Sequence, residues 1–153
     1  MLNRQIVCLI KMDKSISIKE ISTETELKVT LELCYAYLGN ENSELYCHEA
    51  WANRLLTEKQ PLLYAVNSNN EVISAVLGRA ENQDSMVLGF VVCHPDYRRR
   101  GITKALMERF ETLSREMGYK YITAGSMEDG FYESCGYSTI FSIHGQNIYQ
   151  KQL

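Results

Sequence analysis

Residues 86–93 read Met-Val-Leu-Gly-Phe-Val-Val-Cys, an almost unbroken apolar run that His94-Pro95 brings to a close. A run of that length with no polar alternation suits a strand covered on both faces, in the middle of a sheet. Proline has no N–H to give to a ladder, so Pro95 ends the strand. Soon afterwards, at Gly101, the period becomes helical: Ile102, Leu106, Phe110, Leu113 and Met117 share one stripe. Between strand and helix stand three consecutive arginines, Arg98, Arg99 and Arg100. The chain must therefore fold around a central strand that leads directly into a helix, with positive charge concentrated where they meet.

The neighbouring elements follow from local pattern. Ile16, Ile18 and the run to Ile21 alternate with polar residues, as a half-buried strand does. Thr23 and Glu26 have capping-box spacing before a helix whose apolar face is Leu27, Leu31, Cys34, Tyr35 and Leu38, and Gly39-Asn40 stops it. A second helix is expected over residues 43–56, with Leu45, His48, Ala52, Leu55 and Leu56 as its stripe and Pro61 as its limit. Leu62–Val66 and residues 72–78 flank Asn67-Ser68-Asn69-Asn70, a hairpin signal. In the helix after the arginines, Glu111 and Arg115 have ion-pair spacing on the polar side, and Gly118 provides the stop. A short strand over 121–124, a short helix over 128–135 and a hairpin of 137–143 with 147–153 around His144-Gly145 complete the chain.

The resulting order is β-α-α-β-β-β-α-β-α-β-β. The expected class is α/β (mixed α+β): one domain over residues 15–153, with a mixed, mostly antiparallel central sheet and helices for both faces. Residues 1–14 are expected to form an N-terminal extension.

The 153 residues are 45% hydrophobic and 23% charged, without a low-complexity linker, which fits a globular domain. No apolar run approaches the roughly 18 residues that span a bilayer, and residues 6–10 are too short for a signal-peptide core. A cytoplasmic protein, without membrane partners, is expected. The five cysteines are odd in number, scattered, and form no C-x-x-C, so reduced thiols are expected and no metal site. Cys47-His48 and Cys93-His94 cannot act as dyads, because adjacent residues on a strand or helix do not face one another. With a formal net charge of −3, the chain is a poor match for nucleic acid, and the arginine cluster is a local feature.

The first turn of a helix leaves N–H groups without partners and carries partial positive charge. Gly101, lacking a Cβ, lets a ligand approach the main chain, and guanidinium groups fork onto phosphate oxygens. The junction is suited to a phosphorylated ligand. Neither the P-loop pattern G-x-x-x-x-G-K-S/T nor a G-x-G-x-x-G turn is present, which disfavours simple nucleotide chemistry.

Two motifs carry a closer reading. Val91-Val92-Cys93-His94-Pro95 leads into Arg98-Arg99-Arg100-Gly101-Ile102-Thr103, and Phe131-Tyr132-Glu133-Ser134-Cys135-Gly136-Tyr137 follows downstream. Together they resemble the GNAT superfamily of acyl-CoA-dependent N-acyltransferases, whose markers are a Q/R-x-x-G-x-G/A loop after a strand and an F-Y-x-x-x-G-F/Y segment. The element order agrees over about residues 15–153. Thr103 stands where the second small residue of the loop is expected. Gly125 falls near an asparagine of many relatives, and Cys93 replaces a valine. The resemblance implies acetyl-CoA as co-substrate, with no metal. It implies that the main chain of Val91, Val92 and Cys93 pairs with the pantetheine arm, like an added strand. Arg99, Arg100, Gly101, Ile102, Thr103 and Lys104 would cradle the pyrophosphate, Arg98 would orient the loop, and Tyr132 would lie beside the thioester.

The implied reaction is direct attack of a primary amine on the acyl thioester in a ternary complex. It needs a base for the amine, donors for the tetrahedral oxyanion and a group to receive the thiolate. A main-chain N–H near Val92 is the candidate oxyanion donor, and Tyr132 is the candidate catalytic residue at the leaving group. A phenol protonating a thiolate runs uphill by about 2 kcal/mol, so hydrogen bonding to sulfur is the simpler role. Residues 86–93 hold no carboxylate; Glu81, Asp84, His48 and Glu49 are the options for a base. Glu41 and Glu44 between the first two helices favour a cationic amine, on a small molecule or a peptide. A homodimer is compatible with the resemblance. The competing readings are a non-catalytic acyl-CoA-binding or sensing domain and nucleic-acid binding through the arginines.

Overall fold

In the computed structural model, which describes residues 13–57, 60–127 and 130–153, the apolar run becomes strand β4, Ser85–Cys93, at the centre of a seven-stranded sheet. The other strands are β1 Ser17–Glu20, β2 Leu62–Val66, β3 Val72–Ala80, β5 Tyr121–Ser126, β6 Ser138–Ile143 and β7 Gln146–Gln152. They lie in the order β1-β2-β3-β4-β5-β7-β6. Every neighbouring pair is antiparallel except β4 and β5. Those two are parallel because helix α3, Ile102–Glu116, carries the chain back between them.

The sheet is covered on both faces, as expected. Helices α1, Glu24–Leu38, and α2, His48–Thr57, cover one face through Leu27, Leu31, Cys34 and Trp51. Helix α3 covers the other through Ile102, Leu106, Met107 and Phe110, which pack with Tyr132, Tyr137 and Tyr149. Tyr132 belongs to the single-turn helix α4, Phe131–Ser134. The fold class and element order match the expectation. Of the proposed extension, residues 1–12 lie outside the described residues. Among the described residues no helix is long and apolar enough to cross a membrane.

Within β4 the alternation of faces is broken once. The pairing with β3 slips between Leu77 and Gly78, leaving Gly89 as an extra residue between the partners Leu88 and Phe90. Met86 and Leu88 consequently join the α3 core, whereas Phe90 and Val92 join the core under α1 and α2. Glycine is required there, since a Cβ on Gly89 would lie 2.8 Å from Trp51 Cη2 and 3.1 Å from Tyr46 Cε1.

Three local expectations are corrected. Helix α2 starts at His48 and not at residue 43, because residues 43–47 are held in hydrogen-bonded turns and the Tyr46 carbonyl accepts from Tyr35 Oη at 2.6 Å. Its buried anchors are Trp51 and Arg54, whereas Leu45 and Leu56 are exposed. Glu111 does not pair with Arg115: it is buried and accepts hydrogen bonds from Tyr137 Oη at 2.9 Å and Lys151 Nζ at 2.8 Å. Met117, expected on the buried stripe of α3, is exposed.

Candidate active site

The parallel pairing of β4 with β5 covers only Ser85–Val87 against Tyr121–Thr123. Just past it comes the bulge at Gly89, and a bulge bends its strand. Beyond this point β4 keeps β3 as a partner and parts from β5. The His94 N–H reaches the Ile73 carbonyl at 2.8 Å, and Ser74 Oγ donates to the Val92 carbonyl at 2.6 Å. Main-chain groups alternate sides along an antiparallel strand, so those of Val92 face β3 and those of Val91 and Cys93 face the gap. The main-chain N–H groups that face the gap beside Val92 are thus those of its two neighbours.

The gap is a cleft of about 1140 Å³. Every residue that the sequence assigns to the coenzyme or the thioester lines it: Val91, Val92, Cys93, Arg98, Arg99, Arg100, Gly101, Ile102, Thr103, Lys104 and Tyr132. The lining also includes Tyr97, Met127 and Gln146, which the sequence reading did not single out. Tyr97 adjoins Arg98 in the chain, whereas no local motif marks Met127 or Gln146.

At the arginine end the chain makes a one-turn 3-10 helix, Pro95–Tyr97, capped by the Asp96 N–H donating to His94 Nδ1 at 3.1 Å. Arg99 has φ 64° and Gly101 has φ 77°, left-handed conformations that fold the loop tightly. Helix α3 begins at once, with no side chain capping it and no acidic residue in its first turn. By contrast, the first turn of α1 is capped by Thr23 and carries Glu24 and Glu26. The first N–H groups of α3 are thus available to an anion at the end of the cleft. The Arg98, Arg99 and Arg100 side chains are exposed around them, and the Arg100 guanidinium lies 4.9 Å from the centre of the Tyr97 ring.

At the opposite side Tyr132 is buried, 8% exposed. Its ring stacks on Tyr149 and meets Phe131 and Tyr137 edge-on. Its carbonyl accepts from the Tyr137 N–H at 3.0 Å. Lys151 Nζ donates to the Cys135 carbonyl at 2.9 Å as well as to Glu111, fastening the turn that follows α4. Burial, and the adjacent Glu111 carboxylate, push the Tyr137 hydroxyl far above the usual phenol range, so Tyr137 keeps its proton and donates a hydrogen bond to Glu111.

None of the carboxylates or imidazoles considered as a base lines the cleft. Glu81 pairs with Arg79 at 3.0 Å and Asp84 with Lys120 at 3.6 Å, while His48 and Glu49 are exposed on α2. Among the described residues no cluster of His, Cys, Asp or Glu is placed to hold a metal ion.

Residues 25–137 match the model of the acetyltransferase (GNAT) family. The chain belongs to the GNAT acetyltransferase family. Solved structures agree in fold at low sequence identity. An acetyltransferase from Streptococcus agalactiae is 20% identical, with a TM-score of 0.69 over 92% of this chain and 100% of that one. The PaiA N-acetyltransferase from Thermoplasma acidophilum, in complex with coenzyme A, is 17% identical with a TM-score of 0.71, over 91% and 99% of the two chains. A GNAT family acetyltransferase from Elizabethkingia anophelis with acetyl-CoA bound is 14% identical with a TM-score of 0.68, over 92% and 100%. Among curated proteins, none matches the chain in sequence. The GNAT match spans the whole arginine junction and ends on Tyr137, so both motifs read from the sequence fall inside it.

Proposed function

We propose that this GNAT protein is an N-acetyltransferase that moves an acetyl group from acetyl-CoA to a primary amine by direct attack. The single observation that carries the reading is the parting of β4 from β5 directly above the arginine loop. One end of the cleft offers uncapped helix N–H groups and guanidinium groups, which match a pyrophosphate. Its wall offers free main-chain groups of Val91 and Cys93, which match the amides of the pantetheine arm.

Acetyl-CoA supplies an activated acyl group as a thioester. The chain's own residues then bind and orient it. Arg99, Arg100, Gly101, Ile102, Thr103 and Lys104 hold the diphosphate, with Arg98 steadying the loop. The Val91–Cys93 edge aligns the arm, and the Val91 or Cys93 N–H receives the oxyanion. Tyr132 hydrogen-bonds the departing sulfur. No carboxylate or imidazole stands among the described lining residues; with water as the acceptor of the amine proton, an amine that is already partly neutral reacts best.

The absence of a carboxylate from β4 favours a second reading, a non-catalytic acyl-CoA-binding domain. A thiol-release assay with acetyl-CoA and a panel of amines decides between them. Amine-dependent thiol release supports the enzyme, and tight acetyl-CoA binding with no release for any amine supports the sensor. Absence of acetyl-CoA binding by calorimetry would remove both.

A further inference from the structure

The wall opposite the β4 edge is formed by the end of β5, and Gly125 there is exposed to the cleft. Its backbone is not in the left-handed region, so no torsional demand accounts for a glycine at this position. What a side chain would meet is Gln146. A Cβ on Gly125 would lie 2.7 Å from Gln146 Nε2 and 3.0 Å from its Cδ. The carboxamide of Gln146 is laid across the bare backbone of Gly125 and itself lines the cleft. Gln146 is the first residue of β7, paired with Ile143 across the tip of the last hairpin, so its main chain comes from outside the parted strands. A primary amide in this place presents one acceptor and two donor hydrogens on the side that β4 does not reach.

We infer that Gln146 is a ligand-binding residue of the β5 wall, whose carboxamide hydrogen-bonds an amide of the pantetheine arm, and that Gly125 is bare in order to seat it. The inference rests on the acetyl-CoA reading above. It assigns to the closing hairpin a direct part in holding the coenzyme. The arm is then gripped from both sides, by main chain on β4 and by a side chain delivered from β7.

The test is calorimetry with two ligands: acetyl-CoA, and adenosine 3′,5′-bisphosphate, which carries phosphates but no amide. Losing one neutral hydrogen bond is worth about fivefold to tenfold in affinity. Gln146→Ala should weaken acetyl-CoA by that factor and leave the bisphosphate unchanged, which also shows that the variant is folded. Gly125→Ala should produce the same loss by displacing the carboxamide, and the double variant should be no worse than either single one. Unchanged acetyl-CoA affinity in Gln146→Ala, equal weakening of both ligands, or additive losses in the double variant would overturn the assignment of Gln146 while leaving the coenzyme reading intact. A wild-type protein that does not bind acetyl-CoA would overturn both.

Discussion

The ring of Tyr132 lies against that of Tyr149, with centroids 5.2 Å apart and planes 29° from parallel. Tyr149 is fully buried in β7 and fixed in register opposite Ala124 of β5. The orientation of Tyr132 is therefore set by the closing hairpin as much as by its own short helix. The hydroxyl at the proposed leaving-group position is carried on a ring that is clamped from three sides, by Phe131, Tyr137 and Tyr149.

Replacing Tyr132 with phenylalanine keeps this packing and removes only the hydroxyl. Turnover should fall at least about tenfold, as loss of one hydrogen bond to a developing thiolate predicts. Acetyl-CoA affinity should stay within a few-fold. Steady-state kinetics with a reactive amine, alongside calorimetry, checks both, and unchanged turnover would take Tyr132 out of the mechanism.

The exposed arginines at the α3 junction act through charge. Arg99→Ala and Arg100→Ala should each weaken acetyl-CoA by about tenfold, the range for a hydrogen bond to a charged group that water partly screens. The loss should shrink in high salt, because the wild-type protein is the one that salt penalises. Calorimetry at two ionic strengths measures this.

Glu111 and Lys151 form the polar joint between α3, β7 and the turn after Tyr132. Lys151→Met leaves a carboxylate buried with only Tyr137 as its partner. Such a break costs about 3 kcal/mol, a fall in Tm of roughly 10 °C for a domain of this size. Thermal unfolding followed by circular dichroism tests it. Arg115→Met, at the position that helix spacing alone would have paired with Glu111, should leave Tm almost unchanged.

The Tyr64 hydroxyl donates to Glu26, which also accepts from Ser22 and Thr23 at the start of α1. These bonds, the Tyr64 bond foremost, hold the Glu26 carboxyl down at about 2, against an ordinary value of 4.5. The folded value is the depressed one. Its contribution is therefore complete above pH 4.5 and disappears as pH falls from there to about 2. Tyr64→Phe should destabilise the protein at neutral pH, and the gap from wild type should narrow through that window. Urea unfolding at a series of pH values reads this out. A gap independent of pH would assign Tyr64 a packing role alone.

The arginine junction and the tyrosine segment were legible because each is written in neighbouring residues. Pro95 ends a strand, Gly101 opens a helix, and Phe131 to Tyr137 form one continuous motif. The same holds for the start of α1, whose cap and whose buried Leu27 and Leu31 depend on residues within four positions of one another, whereas Leu38, expected on the same face, is exposed. What the pattern could not supply depended on partners far along the chain. Gly89 looks like one small residue in an apolar run until Trp51 is placed over it. Glu111 has a partner four residues away by spacing, yet Lys151 and Tyr137 reach it first because α3 is packed on that side. Helix α2 begins late because a tyrosine in α1 takes the carbonyl that an earlier turn would have used. Gln146 was illegible for the same reason, since only the closing hairpin brings it to Gly125.

The extra residue in β4 makes the central strand a crossover between two interiors. Because Gly89 is the residue without a partner, removing it would leave Leu88 and Phe90 as ordinary neighbours on opposite faces, each still in its present interior, and would take away the bend of the strand. A single-codon deletion there would keep both halves of the interior and straighten β4 back toward β5 at the expense of the cleft, whereas the same deletion in the turn at Asn67–Asn70 would only tighten a loop.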